Sequence, residues 1–337
     1  MVTLAEIAKK AGVSTIVVSR ILNGGKVYRQ KKAVARAEKI RNLAAEMGYR
    51  PNLAAQSIRS GKTGNIGLLM SVQSSRSLLP SALLEGILSL TSKADLNLVL
   101  GHVSDNQLHG KDPLPKMLST QTCDGLLVNY NADIPVELEE LINNAAIPAV
   151  WMNSRHEHNC VYPDDRKAAW TLVRRLVKSG HSRIAYADYQ ISNTKIASHY
   201  SNAERFAGYA AAMIKAGLEP RRVDTAEELE HDGQLRHTAA WLTASDAPTA
   251  VVCYSHFTAN VIVYAASRFL RKDVQKPLVF AFDSFGKRDL PLEWTQVTIP
   301  MQRMGEEAVH LLVSLLKNPE TKNAPIALPF EQPEIPV

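Results

Sequence analysis

At 337 residues the chain is too long for one ordinary hydrophobic core, and its length predicts two or three domains. Its composition, 45% hydrophobic and 21% charged, is that of a globular protein, and no apolar run reaches the roughly 18 residues of a membrane span. Residues 1–62 hold 13 basic and three acidic residues, whereas the remainder is slightly acidic, which predicts a polyanionic partner for this N-terminal segment alone.

Two further features concern the compartment. Glu6, Lys9 and Lys10 interrupt any apolar stretch at the N-terminus, so a secretory signal is not indicated. The three cysteines are few and far apart, which argues against a disulfide framework and suits a reducing environment. We therefore expect a cytoplasmic protein with no membrane contact. For the basic residues in 1–62, the alternative to a polyanionic partner is a basic surface that contacts only solvent.

The stretch TLAEIAKKAGVSTIVVSRILNGG, which begins at Thr3, predicts two short helices joined by a turn. Thr3 and Glu6 form a capping box that starts the first helix. Gly12 can adopt the positive φ of a sharp reversal, and Ser14 can cap a second helix over 15–22. Such a helix-turn-helix places its second helix in the major groove of DNA.

This stretch, followed by AAEMGYRPNLAAQSIRSGKTGNIGLL, resembles the head and hinge of the lactose-repressor (LacI/GalR) family of bacterial transcription regulators. The matching elements are the T-x-x-[DE]-[IV]-A start, the A-G-V-S turn, V-S-R-[IV]-[LV]-N, G-Y-x-P-N and a strand that opens I-G-L-L. The resemblance implies a helix-turn-helix domain at 1–50, a hinge at 51–62 that folds on operator DNA, and an effector-binding and dimerisation core at 63–337.

By position, Thr15, Ile16 and Arg20 match the base-reading residues of the family. Arg20 can form two hydrogen bonds with guanine, whereas Ile16 has no polar atoms and could touch a thymine methyl or pack inside the protein. Ile58 occupies the place of the apolar hinge side chain that wedges between base pairs. The full set of predicted DNA-binding residues is Thr3, Ser14, Thr15, Ile16, Ser19, Arg20, Asn23, Tyr49, Asn52, Ala55 and Ile58.

One departure lies between Asn23 and Tyr49, which are further apart than in most members of the family. The extra residues fall within 26–41 and predict a longer loop or an added turn at the start of a third helix. They add Lys31 and Lys32 beside the DNA-binding face, where we expect sequence-independent phosphate contacts.

From residue 65 onward, buried apolar runs alternate with amphipathic segments. The predicted strands are 65–72, 97–103, 125–130, 148–152, 183–188, 249–254 and 278–283. The predicted helices are 80–94, 135–144, 166–179, 202–216, 232–244, 256–270 and 303–317. This alternation is typical of parallel sheets covered by helices on both faces. We therefore predict an α/β core of two doubly wound parallel-sheet subdomains with a cleft between them.

The core also resembles the family's ligand-sensing domain, which is similar to periplasmic sugar-binding proteins. Motifs that carry this likeness are LVKSGHSRIAY, AERFAGYAAAMIKAGL and VFAFDSF. The resemblance implies three chain crossings between the subdomains, expected near 153–160, 283–290 and 298–302. On this basis the N-subdomain is assigned to about 63–153 and 284–300, and the C-subdomain to about 154–283 and 301–337.

The same resemblance implies an effector site in the cleft. Arg205 and Asp283 match residues that bind effector hydroxyls in relatives, and an Arg/Asp pair suits a polyol. The alternative for Arg205 is an ion pair on a helix surface, and the alternative for Asp283 is a cap at the end of a strand. At this site the chain departs from the family pattern: it has Ser255-His256 where many members have Asn-Asp, and Asn153 where the usual residue is Asp. The predicted effector is sugar-like. The candidate effector-binding residues are Gln73, Arg76, Asn153, Arg205, Ser255 and Asp283.

Other kinds of site are not indicated. GKT at 61–63 is not a P-loop, because Gln56 occupies the place of the required first glycine, and no G-x-G-x-x-G follows a strand. His156, His158 and Cys160 alternate in RHEHNC and could converge on zinc, but a fourth ligand is not evident. Paired catalytic carboxylates and a nucleophile elbow are also missing from the sequence. We therefore predict no cofactor, no metal and no enzymatic activity.

Two hypotheses remain. The first is a repressor that binds a palindromic operator as a homodimer, with a cleft effector that changes its DNA affinity. A dimer is expected because the end of the chain, EQPEIPV, lacks the leucine heptads of tetrameric relatives. The second is a solute-binding or enzymatic α/β protein with an unrelated helical appendage. The basic head and the lack of an export signal favour the first.

Overall fold

The computed structural model describes residues 2–23, 30–50, 61–73, 76–108, 116–120, 122–189, 199–224, 231–284 and 293–335. The chain divides into two compact units, Met1–Thr63 and Gly64–Val337. The boundary between them falls near the junction of the segment predicted as hinge and the first predicted strand. No helix in the described ranges is long and apolar enough to cross a membrane.

The first unit consists of three helices, α1 (Leu4–Ala11), α2 (Thr15–Asn23) and α3 (Lys31–Glu46). The predicted capping box is present: the Glu6 N–H donates to Thr3 Oγ1 at 3.3 Å, and the Thr3 N–H donates to Glu6 Oε2 at 2.8 Å. Gly12 ends α1 with φ 64°, a conformation that costs glycine little. These local signals produce the predicted helix-turn-helix, which packs on α3 around a small core of Ile7, Ala8, Val18, Ile21, Ala37, Ile40 and Ala44.

The second unit alternates strands and helices in the predicted order. Its elements are β1 (Asn65–Ser71), α4 (Ser81–Lys93), β2 (Asn97–Val103), α5 (Asp105–Leu108), α6 (Lys116–Ser119), β3 (Gly125–Asn129), α7 (Val136–Asn144), β4 (Ala149–Met152), β5 (Cys160–Pro163), α8 (Asp165–Lys178), β6 (Ile184–Asp188), α9 (Tyr200–Lys215), β7 (Arg221–Asp224), α10 (His231–Leu242), β8 (Ala250–Cys253), α11 (His256–Phe269), β9 (Leu278–Asp283), β10 (Thr295–Thr298), α12 (Met301–Leu315) and β11 (Ile326–Leu328).

The strands form two parallel sheets. The first has the order β11-β5-β4-β3-β1-β2, and the second has the order β10-β9-β8-β6-β7. Helices α4 and α12 cover one face of the first sheet, and α7 covers the other. Helices α8 and α9 cover one face of the second sheet, and α10 and α11 cover the other. The predicted fold class, an all-α helix-turn-helix head plus two doubly wound parallel-sheet subdomains, is therefore confirmed.

The subdomain boundaries and two of the chain crossings were predicted wrongly. Strand β5 pairs with β4 and stays in the first sheet, whereas β10 pairs with β9 in the second sheet. Helix α12 packs into the core of the first sheet. The chain therefore crosses near 163–165, at 299–300 and near 328–330. The missed strands have three or four residues and, unlike the equally short β4 (AVWM) and β8 (AVVC), no run of four apolar residues, so no hydrophobic pattern assigns them.

This topology positions the polar ends of the strands. The chain leaves the first sheet after Pro163 and again after Leu328, both at the carboxyl ends of parallel strands. It leaves the second sheet after Thr298, also at a carboxyl end. Because all three crossings start at carboxyl edges, these edges of both sheets adjoin the junction between subdomains, which is where open α/β sheets bind ligands.

Candidate DNA-binding and effector-binding sites

Helix α2 has one buried and one exposed side. Val18 and Ile21 are buried against the other two helices of the head. Thr15, Ile16 and Arg20 are exposed on the opposite side, and the exposed fraction of Ile16 is 68%. The three predicted base-reading residues therefore share one open surface. The alternative interpretation of Ile16, a residue packed in the core, is wrong.

The flanking candidates have mixed placements. Ser14 is exposed, and its Oγ accepts the Val17 N–H at 3.4 Å, as predicted for a helix cap. Ser19 is half-buried, and Thr3 is exposed but engaged in the capping box. Tyr49 is half-buried against the helical core. The predicted hinge contacts lie outside the described residues: Asn52, Ala55 and Ile58.

The departure from the family pattern is partly visible. Asn23 is the last residue of α2, and Lys31 and Lys32 open the sixteen-residue α3 with both side chains exposed. No acidic residue lies in the first turn of α3. The segment 24–29, which contains most of the predicted extra loop, falls outside the described residues.

In the second unit, Arg205 on α9 is the centre of a buried polar cluster. Its Nε donates to Asp165 Oδ1 at 2.7 Å, and its Nη1 donates to the Tyr254 carbonyl oxygen at 2.8 Å. The guanidinium carbon lies 4.4 Å from the ring centre of Phe282 and 4.9 Å from that of Tyr254. Burial is the largest single influence on Arg205 and would lower its pKa, but the Asp165 carboxylate together with the Tyr254 and Tyr186 side chains offsets it, so the pKa is raised. A surface ion pair, the alternative for Arg205, is therefore wrong.

Asp283 lies at the carboxyl end of β9 and is 3% exposed. Its Oδ1 accepts the Ser284 N–H at 2.8 Å and is 3.3 Å from His256 Nδ1. Ser255 precedes α11 and is half-buried. Many members of the family have Asn-Asp where this chain has Ser255-His256. This departure places an imidazole, rather than a carboxylate, against Asp283.

A connection between the two subdomains involves Asn153, which follows β4 with φ 54°. Its carbonyl oxygen accepts a hydrogen bond from His199 Nε2 at 2.8 Å. Burial lowers the pKa of His199, and its Nδ1 accepts the Ser201 N–H at 3.3 Å, which fits a neutral Nε2–H tautomer. Beside it, Arg155 and Glu204 form an ion pair of 2.6 Å. Asn153 is therefore in place at the junction, although its backbone rather than its side chain makes this contact.

At the carboxyl edge of the first sheet, Gln73 is exposed and Arg76 is half-buried, with its Nη2 3.9 Å from Asp133 Oδ2. Sequence reasoning missed Asn129, which ends β3 and is fully buried. Its Nδ2 donates to a backbone carbonyl, but within the described part of the chain the Oδ1 atoms of Asn129 and Asn131 are buried without hydrogen-bond partners. The pattern LLVNYN, polar residues directly after a buried strand, was the signal that could have identified them.

The RHEHNC segment forms a local structure. The Cys160 thiol donates to the His156 carbonyl oxygen at 3.2 Å, and the His156 ring stacks on Trp151 with centroids 4.2 Å apart. Burial lowers the pKa of His156 to about 4, and His158 is exposed. In the described ranges, no three or more acidic, histidine or cysteine side chains are grouped so that they could hold a metal ion.

Sequence comparison places these two units in a known family. Residues 3–52 match the model for bacterial regulatory proteins of the lacI family, and residues 173–332 match the model for a periplasmic binding protein-like domain. The chain belongs to the lacI family of bacterial regulatory proteins. The LacI-family match covers α1, α2 and α3, and the second match covers all five strands of the second sheet together with α12.

Full-length relatives agree with this placement of the LacI-family chain. It is 26% identical to the HTH-type transcriptional repressor PurR of Vibrio atlanticus (strain LGP32), over 94% of this chain and 93% of that protein. It is also 26% identical to catabolite control protein A of Priestia megaterium, over 97% of this chain and 96% of that protein. These named relatives are transcriptional regulators rather than enzymes.

Solved structures share the fold. A lac repressor dimer bound to operator and the anti-inducer ONPF has a TM-score of 0.70 at 21% identity, covering 98% of this chain and 96% of that one. The complex of the transcriptional regulator CelR with cellobiose has a TM-score of 0.59 at 21% identity, covering 98% of both chains. The arrangement of a helix-turn-helix head and two parallel sheets is thus that of the LacI-family regulators.

Proposed function

We propose that this LacI-family regulator is a cytoplasmic repressor that binds a palindromic operator as a homodimer and releases or retains it in response to a small, sugar-like effector. The observation that carries the proposal is the open face of α2, which presents Thr15, Ile16 and Arg20 on a segment of 13 basic and three acidic residues. The protein acts by binding and performs no catalysis.

The proposed DNA contacts divide into two kinds. Thr15, Ile16 and Arg20 read base edges, because all three are exposed on α2, the second helix of the helix-turn-helix. Ser14 at the helix start and the exposed Lys31 and Lys32 contact phosphates, which positions the head without selecting a sequence. The hinge residues Asn52, Ala55 and Ile58 add minor-groove contacts, as in the family resemblance.

The effector occupies the junction at the carboxyl edges of the two sheets. Among the described residues, the Oδ1 atoms of Asn129 and Asn131 are buried acceptors without hydrogen-bond partners, which suits a ligand that donates hydrogen bonds, as a polyol does. Arg205 on α9 and Asp283 on β9 complete the polar lining from the second subdomain, together with Ser255 at the start of α11. The cellobiose named for the CelR structure supports the same chemical class for this chain.

Dimerisation uses the first sheet of the core. Leu88 on α4 is 47% exposed, and Leu100 on the edge strand β2 is 57% exposed. Two such apolar side chains on neighbouring elements, next to an unpaired strand edge, favour a protein interface. A twofold axis there would present two α2 helices to the two halves of a palindrome.

The proposal is tested by selecting bound duplexes from a random DNA library with the full chain. We expect an inverted repeat, and a pool with no consensus at moderate salt would contradict the proposal. Arg20→Ala should relax preference at one base pair of each half-site, by about 1–3 kcal/mol. Lys31→Ala is the matched control, since loss of a phosphate contact should weaken all sequences alike and lower the salt dependence.

Effector control is tested by thermal-shift screening with sugars and sugar acids. A ligand of the junction should raise the melting temperature by mass action and change operator affinity. Arg205→Met should abolish the shift, whereas Arg271→Met, a change in an exposed pair with Asp273, should leave it intact. A ligand that raises the melting temperature without changing operator affinity would contradict the regulatory role.

A further inference from the structure

The exposed face of α2 contains one side chain that folding does not explain. Ile16 is 68% exposed, the highest value among the exposed large apolar side chains of the described ranges. Val18 and Ile21 on the same helix are buried, and Val17 and Leu22 pack partly against the core. Among the described residues of the head, Ile16 therefore lies outside the apolar core that the three helices form.

Neither helix propensity nor burial accounts for an isoleucine here. A β-branched side chain loses rotamer freedom in a helix, so alanine or glutamine would suit this exposed position better. Burial stabilises a protein only when apolar area leaves water, and most of the Ile16 side chain stays in water. Ile16 is therefore suited to a contact made outside the folded head.

The surroundings of Ile16 indicate what that contact is. Its neighbours on the open face are the Thr15 hydroxyl and, one turn later, the Arg20 guanidinium. Helix α2 contains no carboxylate, and the N-terminal segment as a whole is strongly basic. The partner should thus be a polyanion that offers an apolar group next to hydrogen-bond acceptors. In the major groove, the thymine methyl is that group, and guanine provides the acceptors.

We infer that Ile16 reads the 5-methyl group of one thymine in each operator half-site. The inference rests on the proposed function and names the base feature that this position selects. Ile16 and Arg20 are four residues apart, about 6 Å along the helix axis. Because this separation is small, the thymine and the base that Arg20 contacts belong to the same half-site.

The experiment uses the operator obtained by selection with the full chain. Each thymine of the half-site is replaced in turn, in both halves, by deoxyuridine, which lacks the methyl group and keeps the hydrogen-bonding edge. One position should weaken binding of the wild-type protein about fourfold per half-site, or about tenfold or more for the dimer, as expected for loss of one buried methyl contact. Replacement of the other thymines should change affinity little.

Variants assign the effect to the side chain. Ile16→Ala should bind the thymine and deoxyuridine operators equally, whereas Ile16→Val should keep most of the discrimination. Val34→Ala is the matched control, because Val34 is the other exposed large apolar residue of the described head, at 39%, and should leave the discrimination unchanged. Circular dichroism should show wild-type helix content and melting for Ile16→Ala.

The outcomes separate this inference from the proposed function. Equal binding of every deoxyuridine operator by the wild type would overturn the inference while specific DNA binding stands. Persistence of the discrimination in Ile16→Ala would assign the methyl contact to another residue and would equally overturn it. If selection yields no consensus, the proposed function fails, and the inference fails with it.

Discussion

The buried pair of Arg205 and Asp165 gives the sharpest test of how the core is held together. Arg205 is 6% and Asp165 2% exposed. Arg205→Met keeps an apolar stem between the Tyr254 and Phe282 rings but removes the charge and both hydrogen bonds. The Asp165 carboxylate is then buried without its cation. Removing one partner of a buried pair costs about 3–5 kcal/mol, and we expect that loss in the free energy of unfolding.

A matched control exists on the surface. Arg271 and Asp273 make two hydrogen bonds of 3.1 and 2.9 Å, but their side chains are 81% and 65% exposed. Arg271→Met should cost less than about 1 kcal/mol, because solvent screens an exposed pair. The double variant Arg205→Met/Asp165→Leu should recover most of the stability, since an apolar pair of similar volume replaces both buried charges.

The assay is urea unfolding of the full chain followed by tryptophan fluorescence. All four tryptophans belong to the second unit, so the signal reports the unfolding of the core alone. The midpoint and slope together give the change in the free energy of unfolding. If Arg205→Met costs no more than Arg271→Met, or if the double variant is no more stable than the single one, the reasoning from burial is refuted.

Three further changes have expected outcomes. Thr3→Ala should destabilise α1 by about 1 kcal/mol through loss of the Glu6 N–H cap, measured as faster amide exchange in that helix. Gly86→Ala should lower the urea midpoint by the equivalent of about 1–3 kcal/mol, because its methyl would overlap the Gln302 carbonyl oxygen. Burial lowers the pKa of His156 to about 4. The unfolded state, with a pKa near 6.5, binds the proton first, so stability is full above pH 6.5 and falls by about 2 kcal/mol by pH 5. His156→Gln should remove that part of the pH dependence, measured by urea unfolding at both pH values.

Each of these outcomes has a control. Thr3→Ser keeps the capping hydroxyl and should exchange like the wild type. A Gly86→Ala protein as stable as the wild type would mean that α4 and α12 can separate without cost. An unchanged pH slope in His156→Gln would place the titration at another group.

Local signals made the head predictable. The capping box, the glycine with positive φ and the Ser14 cap each act within three or four residues, so the sequence is sufficient to begin and end α1 and α2. The seven predicted strands and seven predicted core helices are present within about two residues of their expected ends. Long apolar runs identify such elements because burial demands a regular hydrophobic pattern.

Four short strands without a run of four apolar residues were not predictable. β5, β7, β10 and β11 have three or four residues each, and they exist because a neighbouring strand completes their hydrogen bonds. Without them the sequence assigned α12 and β10 to the wrong subdomains. The crossings depend on these strands, and so does the location of the junction.

The sequence by itself determined the helix-turn-helix, the charge of the head, the alternation of the core and the family to which the chain belongs. All of these are properties of neighbouring residues or of composition. Only the tertiary structure decided that Arg205 pairs with Asp165, forty residues away, and that the Asn129 side-chain oxygen is buried without a partner among the described residues. It also decided that Ile16 lies outside the core. These features depend on which surfaces the packed helices and sheets cover, and that is settled only when distant segments meet.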